Sequence, residues 1–518
     1  MQTLRTDCLV IGAGLAGSAY ALQAAQQGLA VELLSLADPL AANSDRAQGG
    51  IIYDASPNPE ELARDILVAS DHTANPAAVQ HLVREGPRAV QELLLDKLAI
   101  GFDRDAGGVL DFTREGGHSG RRIIHAKDAT GHAILAAVAA RVAATPRITR
   151  RPGWVAIDLL TLSHNSKDTS DRYQPLTCFG AYVLDTATGE TVALVAKKTI
   201  LATGGLGQIF LHTTNEPGSV GHGVAMAYRV GARVIDLEYV QFHPTVFAKK
   251  NAPRFLVTEA LRGEGGVLLN ARGQRFMDAV DPRGSLAPRD VVARAIIQEL
   301  AASGEPHALL DLSAMTPDFI RTRFPTVHAT CLAHGVDVTR EPIPIVPAAH
   351  FACGGVHADL EGRTSVRHLN AIGETGCTGL HGANRLASTS LLECLVSAKF
   401  AARADAAEIA RGEFRLPEPR EWESPGRDAD PVLIRQDMLQ IQHTMWNYAG
   451  VVRSPKRLTR ARRILLELRE EIQSFYRGCR LTRDLIELRN AVQTALLIVH
   501  AASLNPHSKG SHYVVEER

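Results

Sequence analysis

The sequence predicts an α/β protein: a Rossmann-like dinucleotide-binding domain in two parts, an α+β capping domain inserted between them, and a C-terminal helical bundle. Three observations carry this. An apolar run, Cys8 to Ile11, enters Gly12-Ala13-Gly14-Leu15-Ala16-Gly17 and then an Ala/Leu/Gln-rich stretch from Ser18 to Gln27. A segment of different character opens near Gln241, and strand-and-glycine patterning resumes around Ile345. Beyond a Pro- and charge-rich stretch, the chain closes on three amphipathic helical patterns. The expected boundaries are 1–238 and 348–412 for the binding domain, 239–347 for the cap, 413–431 for a linker and 432–518 for the bundle.

Taken in order, the first strand, turn and helix form a G-x-G-x-x-G unit. Gly12 permits the tight turn, Gly14 lets the backbone approach a pyrophosphate, and Gly17 lets the helix pack close to the strand. The helix N-terminus, through Ala13, Leu15 and Ala16, offers N–H groups to the anion. The second strand, Val31 to Leu34, ends at Ser35, where an acidic ribose ligand is expected; the nearby acid is Glu32, inside the strand. In the polar loop from Asn43 to Ile51, Gln48-Gly49-Gly50 suggests backbone packed against a flat, bulky ligand. Glu60 to Thr73 and Asn75 to Leu95 read as helices, the second with Asn75 as cap and Pro76 at its first position. Thr113 to Arg122 mixes charges with glycines and has no period, the composition of a loop that carries a site. Asp128 to Ala144 is an Ala-rich helix.

From Trp154 to Leu201 the pattern turns to short β segments, including Ala181–Leu184, Thr191–Val195 and Thr199–Leu201, the last running into Ala202-Thr203-Gly204-Gly205. A single G-x-G-x-x-G leaves a second, nicotinamide-binding module without a signature, which favours a flavin serving diffusible partners. In the insert, Pro288 starts a helix from Arg289 to Ala301. A cation in its first turn opposes the helix dipole, so Arg289 is placed for chemistry more than for helix stability. After Ile345–Phe351 and Leu369–Glu374, a helix beginning near Ser390 and Leu391 aims N–H groups at an anion or an electron-rich ring edge. Gly412 to Pro431 is the linker. Ser454-Pro455 caps the second tail helix, whose Leu465, Leu468, Ile472 and Phe475 share a face; Leu485, Leu488, Val492, Leu496 and Val499 do so in the third. The basic run Lys456 to Arg463 reads as a solvated face.

Lys+Arg and Asp+Glu both number 56, so no global field attracts nucleic acid or an anionic membrane. No apolar run reaches the length of a membrane span. Met1 to Asp7 leads directly into the first strand, so a cytoplasmic chain without a signal peptide is expected. The seven cysteines never form C-x-x-C, which predicts reduced thiols and no metal ligation.

Gly12–Gly17, Ala47–Gly50, Ala202–Gly205, Gln241–Thr245, Ala287–Arg294, Val346–Val356 and Gly379–Glu393, in this order, resemble the succinate dehydrogenase/fumarate reductase flavoprotein superfamily. Within it, Arg114–Ser119, Val346–His350 and His381–Arg385 are similar to the L-aspartate oxidase family. The resemblance spans nearly the whole chain. It implies FAD as cofactor, held at Gly12–Gly17, Gln48–Gly50, Glu374, Ser390 and Leu391. Members with covalent flavin carry a histidine before Ala-Gln-Gly-Gly; here there is none between Leu40 and Gln48, so the FAD is expected to be non-covalent. The family's Gly-Asp-Gly is Gly221-His222-Gly223, so that flavin contact is not carried over, and its lysine after Ser35 is Leu36, which weakens the adenosine-side assignment.

The resemblance further implies that L-aspartate binds between cap and flavin. His243, Thr258, His350 and Arg385 would hold its carboxylates, Arg289 would move a proton, and Glu115 would hold the ammonium that succinate lacks. Hydride passes to the flavin, iminoaspartate leaves, and O₂ (giving H₂O₂) or fumarate takes the electrons. The unstable imine implies hand-over to quinolinate synthase in NAD biosynthesis. Two alternatives stand beside this reading: a soluble fumarate reductase/succinate dehydrogenase-like flavoprotein, and a non-catalytic flavin redox sensor or assembly subunit docking through the helical tail.

Overall fold

The computed structural model describes every residue except 39, 54–58, 251, 253, 424 and 517–518. Its central layer is a seven-stranded sheet. The order is Ile148–Pro152, Val31–Ser35, Gln2–Ile11, Thr191–Leu201, Cys178–Asp185, Trp154–Thr161, with Leu369–Ala371 also paired to Thr191–Leu201. Gln2–Ile11 runs parallel to both neighbours, placing Cys8 opposite Val31 and Lys198. A parallel centre is covered on both faces, which is why Cys8 to Ile11 is unbroken apolar sequence; all four residues are buried.

The first helix is Leu15–Gln26, capped by Gly14. It begins three residues before the composition signal at Ser18, because Leu15-Ala16-Gly17 is already its first turn. Gly17 packs it down: a Cβ there would stand 1.9 Å from the Gly12 carbonyl oxygen. Gly12 has φ +113°, and its Cβ would stand 2.2 Å from the Ala202 oxygen, so the turn is closed to any other residue. On this face Val10, Tyr20, Leu33, Val79 and Leu395 share one core. On the other face, Leu9, Val155 and Val183 share a second core with Ile441, Leu465, Leu488 and Val492. The tail helices Pro431–Ala449, Pro455–Gly478 and Arg483–Leu504 therefore bury their apolar faces in the core of this side of the sheet, the last of them lying against the helix His222–Arg229.

Three local readings differ from the structure. Thr191–Leu201 is one strand, not two. Its polar Lys197-Lys198 step is kept in the ladder because buried Lys198 pairs with Asp405 (3.3 Å) and Glu408 (2.6 Å). The helix from Pro76 is α-helical to Val90 and π-helical from Gln91 to Lys97; Pro87 has no N–H for the ladder, and the winding widens one turn later. The helix from Glu60 stops at Ala69, since Asp71 and His72 adopt left-handed φ values of 55° and 57°.

The insert forms a four-stranded antiparallel sheet in the order Val240–Phe247, Ile343–Ala352, Ala308–Asp311, Val267–Leu269. The helix Arg289–Ser303 packs on it, sharing a third core with Phe247, Leu310 and Ile343 through Val292 and Ile296. Among the described residues of 412–430 there is no helix, but Tyr182 donates to the Arg420 carbonyl at 2.8 Å and stacks edge-on against Trp422 at 5.1 Å. All seven cysteines are free thiols. Among the described residues, no helix is long and apolar enough to cross a membrane.

Candidate active site

A cavity of about 830 Å³ runs from the C-terminal end of Val31–Ser35, past the glycine turn, to the cap sheet. Its wall gathers Gly12 to Ala16, Gln48 to Gly50, Glu374, Ser390 and Leu391 with Glu115, His243, Thr258, Arg289, His350 and Arg385. Gly17 is the exception among the residues picked from sequence: it is buried against the strand and does not reach the cavity. Asp38 reaches the wall three residues past Ser35, so Glu32 is not the acid nearest the ribose end; it stays in the strand, paired with Arg151 at 2.8 Å.

The cofactor end suits a dinucleotide. The Leu15 N–H donates to Ser44 Oγ at 3.3 Å, and a Cβ on Gly14 would meet nothing closer than 3.8 Å, leaving the helix N-terminus open to an anion. Gln48 Oε1 is buried with no partner, an acceptor that needs a donor from a bound group. Glu374 accepts from the Ala352 N–H at 2.9 Å, and burial pushes its carboxyl up to about 7. Thr389–Arg411 starts with Ser390 and Leu391 in its first turn. Flavin offers one ring N–H donor and several acceptors, and this donor and acceptor set fits it.

At the far end the cap strands deliver the histidines. Val240–Phe247 and Ile343–Ala352 pair with irregularities between Gln241 and Phe242 and between His243 and Val246. Pro244 cannot donate to the ladder there, and such breaks re-aim side chains. The His243 and His350 rings come within 5.4 Å. Thr214 Oγ1 is 2.8 Å from His350 Nδ1. Burial first, then nearby arginines, hold both imidazoles well below their ordinary pKa, so both are neutral.

Two guanidiniums, one buried and one half-buried, face them. Arg385 bonds Ser390 Oγ at 2.7 Å and Gln241 Oε1 at 3.2 Å, and sits 4.4 Å over the Phe351 ring. Burial and Arg289 bring it down to about 10. Arg289 Nε pairs with Glu259 at 2.5 Å, and Glu259 pairs in turn with Arg262 at 3.1 Å. Burial alone would lower Arg289, but Glu259 and Glu115 outweigh it and raise it. Burial would raise Glu259, but Arg289 and Arg262 take it down to about 2. Glu115 accepts from Ser388 Oγ at 2.5 Å. Gly49 and Gly116 make room, since a Cβ on them would stand 1.9 Å from Glu115 and 2.3 Å from Glu259 respectively.

The chemistry of this end is clear. Two fixed cations and two neutral imidazoles suit the carboxylates of a small dicarboxylate, and Glu115 supplies a separate negative point. Sequence reasoning passed over Glu259, Gln241, Ser388 and Thr214. Glu259 follows Thr258 directly, but only burial between two arginines distinguishes it from any loop carboxylate.

The family described as FAD binding domain matches residues 7–391, and that described as fumarate reductase flavoprotein C-term matches 438–517. L-aspartate oxidase 1 of Ralstonia nicotianae is 45% identical over 512 residues, covering 98% of this chain and 94% of the relative. L-aspartate oxidase of Pseudomonas aeruginosa is 43% identical, covering 99% and 96%. Among solved structures, E. coli quinol fumarate reductase FrdA superposes with a TM-score of 0.88 at 26% identity, covering 100% of this chain and 92% of that one. The glycine turn, the paired cap histidines and the two guanidiniums thus stand in a chain that belongs to the L-aspartate oxidase family of the succinate dehydrogenase/fumarate reductase flavoproteins.

Proposed function

We propose that this protein oxidises L-aspartate to iminoaspartate with FAD, and that O₂ or fumarate takes up the electrons. Glu115 carries the reading. Of the carboxylates on the cavity wall, Glu374 belongs to the cofactor end and is pushed toward protonation, Glu259 is locked between two arginines, and Glu115 is held by a serine hydroxyl. A carboxylate beside two guanidiniums, without an ion pair of its own, is complementary to an ammonium on a dicarboxylate. Succinate gives it nothing to bind.

Arg385, His350, His243 and Thr258 orient the two substrate carboxylates, converting a bimolecular encounter into a fixed geometry. Bound FAD supplies the two-electron acceptor for the Cα hydrogen. Glu115 holds the ammonium and stands as the base for its proton. Arg289, kept cationic by Glu259, stabilises negative charge on the substrate and donates a proton when the electrons run toward fumarate. The Arg289–Glu259–Arg262 chain gives that proton a route of replacement away from the cavity. The product imine hydrolyses readily, which favours transfer to a quinolinate-forming enzyme in NAD biosynthesis.

The test is H₂O₂ formation by FAD-loaded protein with L-aspartate beside succinate. Turnover of aspartate with none of succinate is expected. Turnover of succinate alone would instead make the protein a fumarate reductase-like enzyme, and turnover of neither, with electron acceptors supplied, a non-catalytic flavoprotein.

A further inference from the structure

The wall at the ribose end of the cavity is built in part by the last helix of the chain. In a Rossmann-like unit the pyrophosphate rests on the first helix N-terminus, so the adenosine lies toward the end of the second strand. Past that strand end Asp38 reaches the cavity wall, but the strand's own last residues offer little. Ser35 Oγ turns back to donate to the Ala37 carbonyl at 2.7 Å, and Leu36 follows it. Arg483, the first residue of Arg483–Leu504, fills the space. Its Nε pairs with Glu487 at 2.6 Å and its Nη1 donates to the Leu36 carbonyl at 3.3 Å. Nη2 makes no hydrogen bond among the described residues, and stands 3.1 Å from where a Cβ on Gly218 would be.

The same helix fixes a second donor. Asn490 Nδ2 donates to His222 Nδ1 at 2.8 Å, and Asn490 Oδ1 accepts from Arg229 at 2.8 Å. The Arg229 bond sets which way the Asn490 amide points, so His222 accepts at Nδ1 and carries its proton at Nε2. That Nε2 is buried and without a partner, and His222 lines the cavity. Burial also keeps the ring neutral. Two independent features therefore meet at one end of the cavity: a braced guanidinium with a spare N–H, and an orphaned imidazole N–H whose tautomer is set from the helical tail.

We propose that Arg483 and His222, with Asn490 as the positioning residue, form the adenosine half of the cofactor site. Their N–H groups donate to ribose hydroxyl oxygens or adenine ring nitrogens. The helical tail is then part of the FAD site, and its donors complement Asp38, the acid that lines this end of the cavity. The inference rests on the FAD assignment and is independent of the substrate.

The experiment is titration of the apo-protein with FAD and, separately, with FMN, which lacks the adenosine, followed by flavin fluorescence. Arg483→Gln and His222→Ala should each weaken FAD about tenfold, the loss of one donated hydrogen bond, and leave FMN within about twofold of wild type. Asn490→Ala should match His222→Ala, and add nothing when combined with it. Unchanged FAD affinity in Arg483→Gln and His222→Ala, or equal losses for FAD and FMN, would overturn the proposal. If Asn490→Ala does not fold by circular dichroism, the other two variants decide. Failure of the wild type to bind either flavin would instead remove the cofactor reading itself.

Discussion

Arg289 is fixed by one neighbour and acts on another. Glu259 is buried and holds the Nε of the half-buried Arg289 at 2.5 Å, so the guanidinium is presented in one orientation. Arg289→Leu removes proton donation and charge stabilisation together, and turnover should fall about a thousandfold or more while flavin absorbance of the purified protein is unchanged. Retention of a tenth of the activity would reduce Arg289 to a binding role. Glu115→Gln separates the two half-reactions. The amide still accepts from Ser388 but no longer offsets an ammonium, so aspartate oxidation should drop about thirty- to a thousandfold, equivalent to about 2–4 kcal/mol. Fumarate, which has no ammonium, should be reduced nearly as before. Steady-state rates of both half-reactions on one preparation decide this, and a parallel fall would make Glu115 a general electrostatic element. Both residues were legible because they stood in stretches with the family's order. Glu259 was not: a carboxylate's partners are set by tertiary packing, here the approach of the Arg289 helix to the Gly116 loop, and no local period reports that.

At the scale of elements, the turn after Gln2–Ile11 is the least replaceable piece of backbone. Gly12→Ala would combine φ +113° with a Cβ 2.2 Å from a carbonyl oxygen, strain that the strand cannot relieve without moving the Ala202 turn. Apo-protein with a melting temperature lowered by several degrees, or insoluble protein, is the expected yield; normal FAD content would contradict it. Strands, helix starts and caps were readable wherever chemistry is local: Asn75 accepts from the Ala77 N–H and Ser454 from the Arg457 N–H, as their positions before Pro suggested. Readings failed where a distant partner decided. Lys198 looked like a strand break and is held inside by Asp405 and Glu408, more than two hundred positions away in the sequence.

For the whole molecule, neutral histidines that are buried or half-buried dominate the response to acid. His212 and His512 are each lowered to about 4 and His222 to about 3, all by burial first, and His243 and His350 are held well below the ordinary value by the same cause. Between pH 6.5 and about 4 the unfolded chain takes up protons that the native chain refuses, so stability falls as pH falls through that window. Each such group contributes about 1.4 kcal/mol per pH unit. Glu374 has the opposite sign: raised to about 7, it binds its proton more tightly when folded and offsets one histidine between pH 7 and 4.5. Urea unfolding of the apo-protein at pH 7.5, 6 and 5 should show the midpoint falling steadily from pH 6.5 downward. A midpoint flat to pH 5 would mean the histidines gain solvent in the native state. Acid should also release the flavin intact, because no histidine lies between Leu40 and Gln48 to bond it covalently. Flavin fluorescence that stays with the protein on a denaturing gel would show otherwise.

The cap leaves and re-enters the rest of the chain through one adjacent pair of strands, with Phe247 opposite Ile345, and its own apolar core runs from Phe247 to Ile345 and no further. That makes it a prunable branch. Cross-strand partners lie close enough for a two-residue hairpin to join them, so residues 248–344 can be exchanged for a short turn without stretching what remains. The shortened chain should fold and bind FAD, since its glycine turn, Gln48 loop and last helix are untouched. Having lost Thr258, Glu259 and Arg289, it should pass no electrons from aspartate. A yellow, inert protein from that deletion would show that flavin binding and oxidation chemistry are carried on separable lengths of one polypeptide.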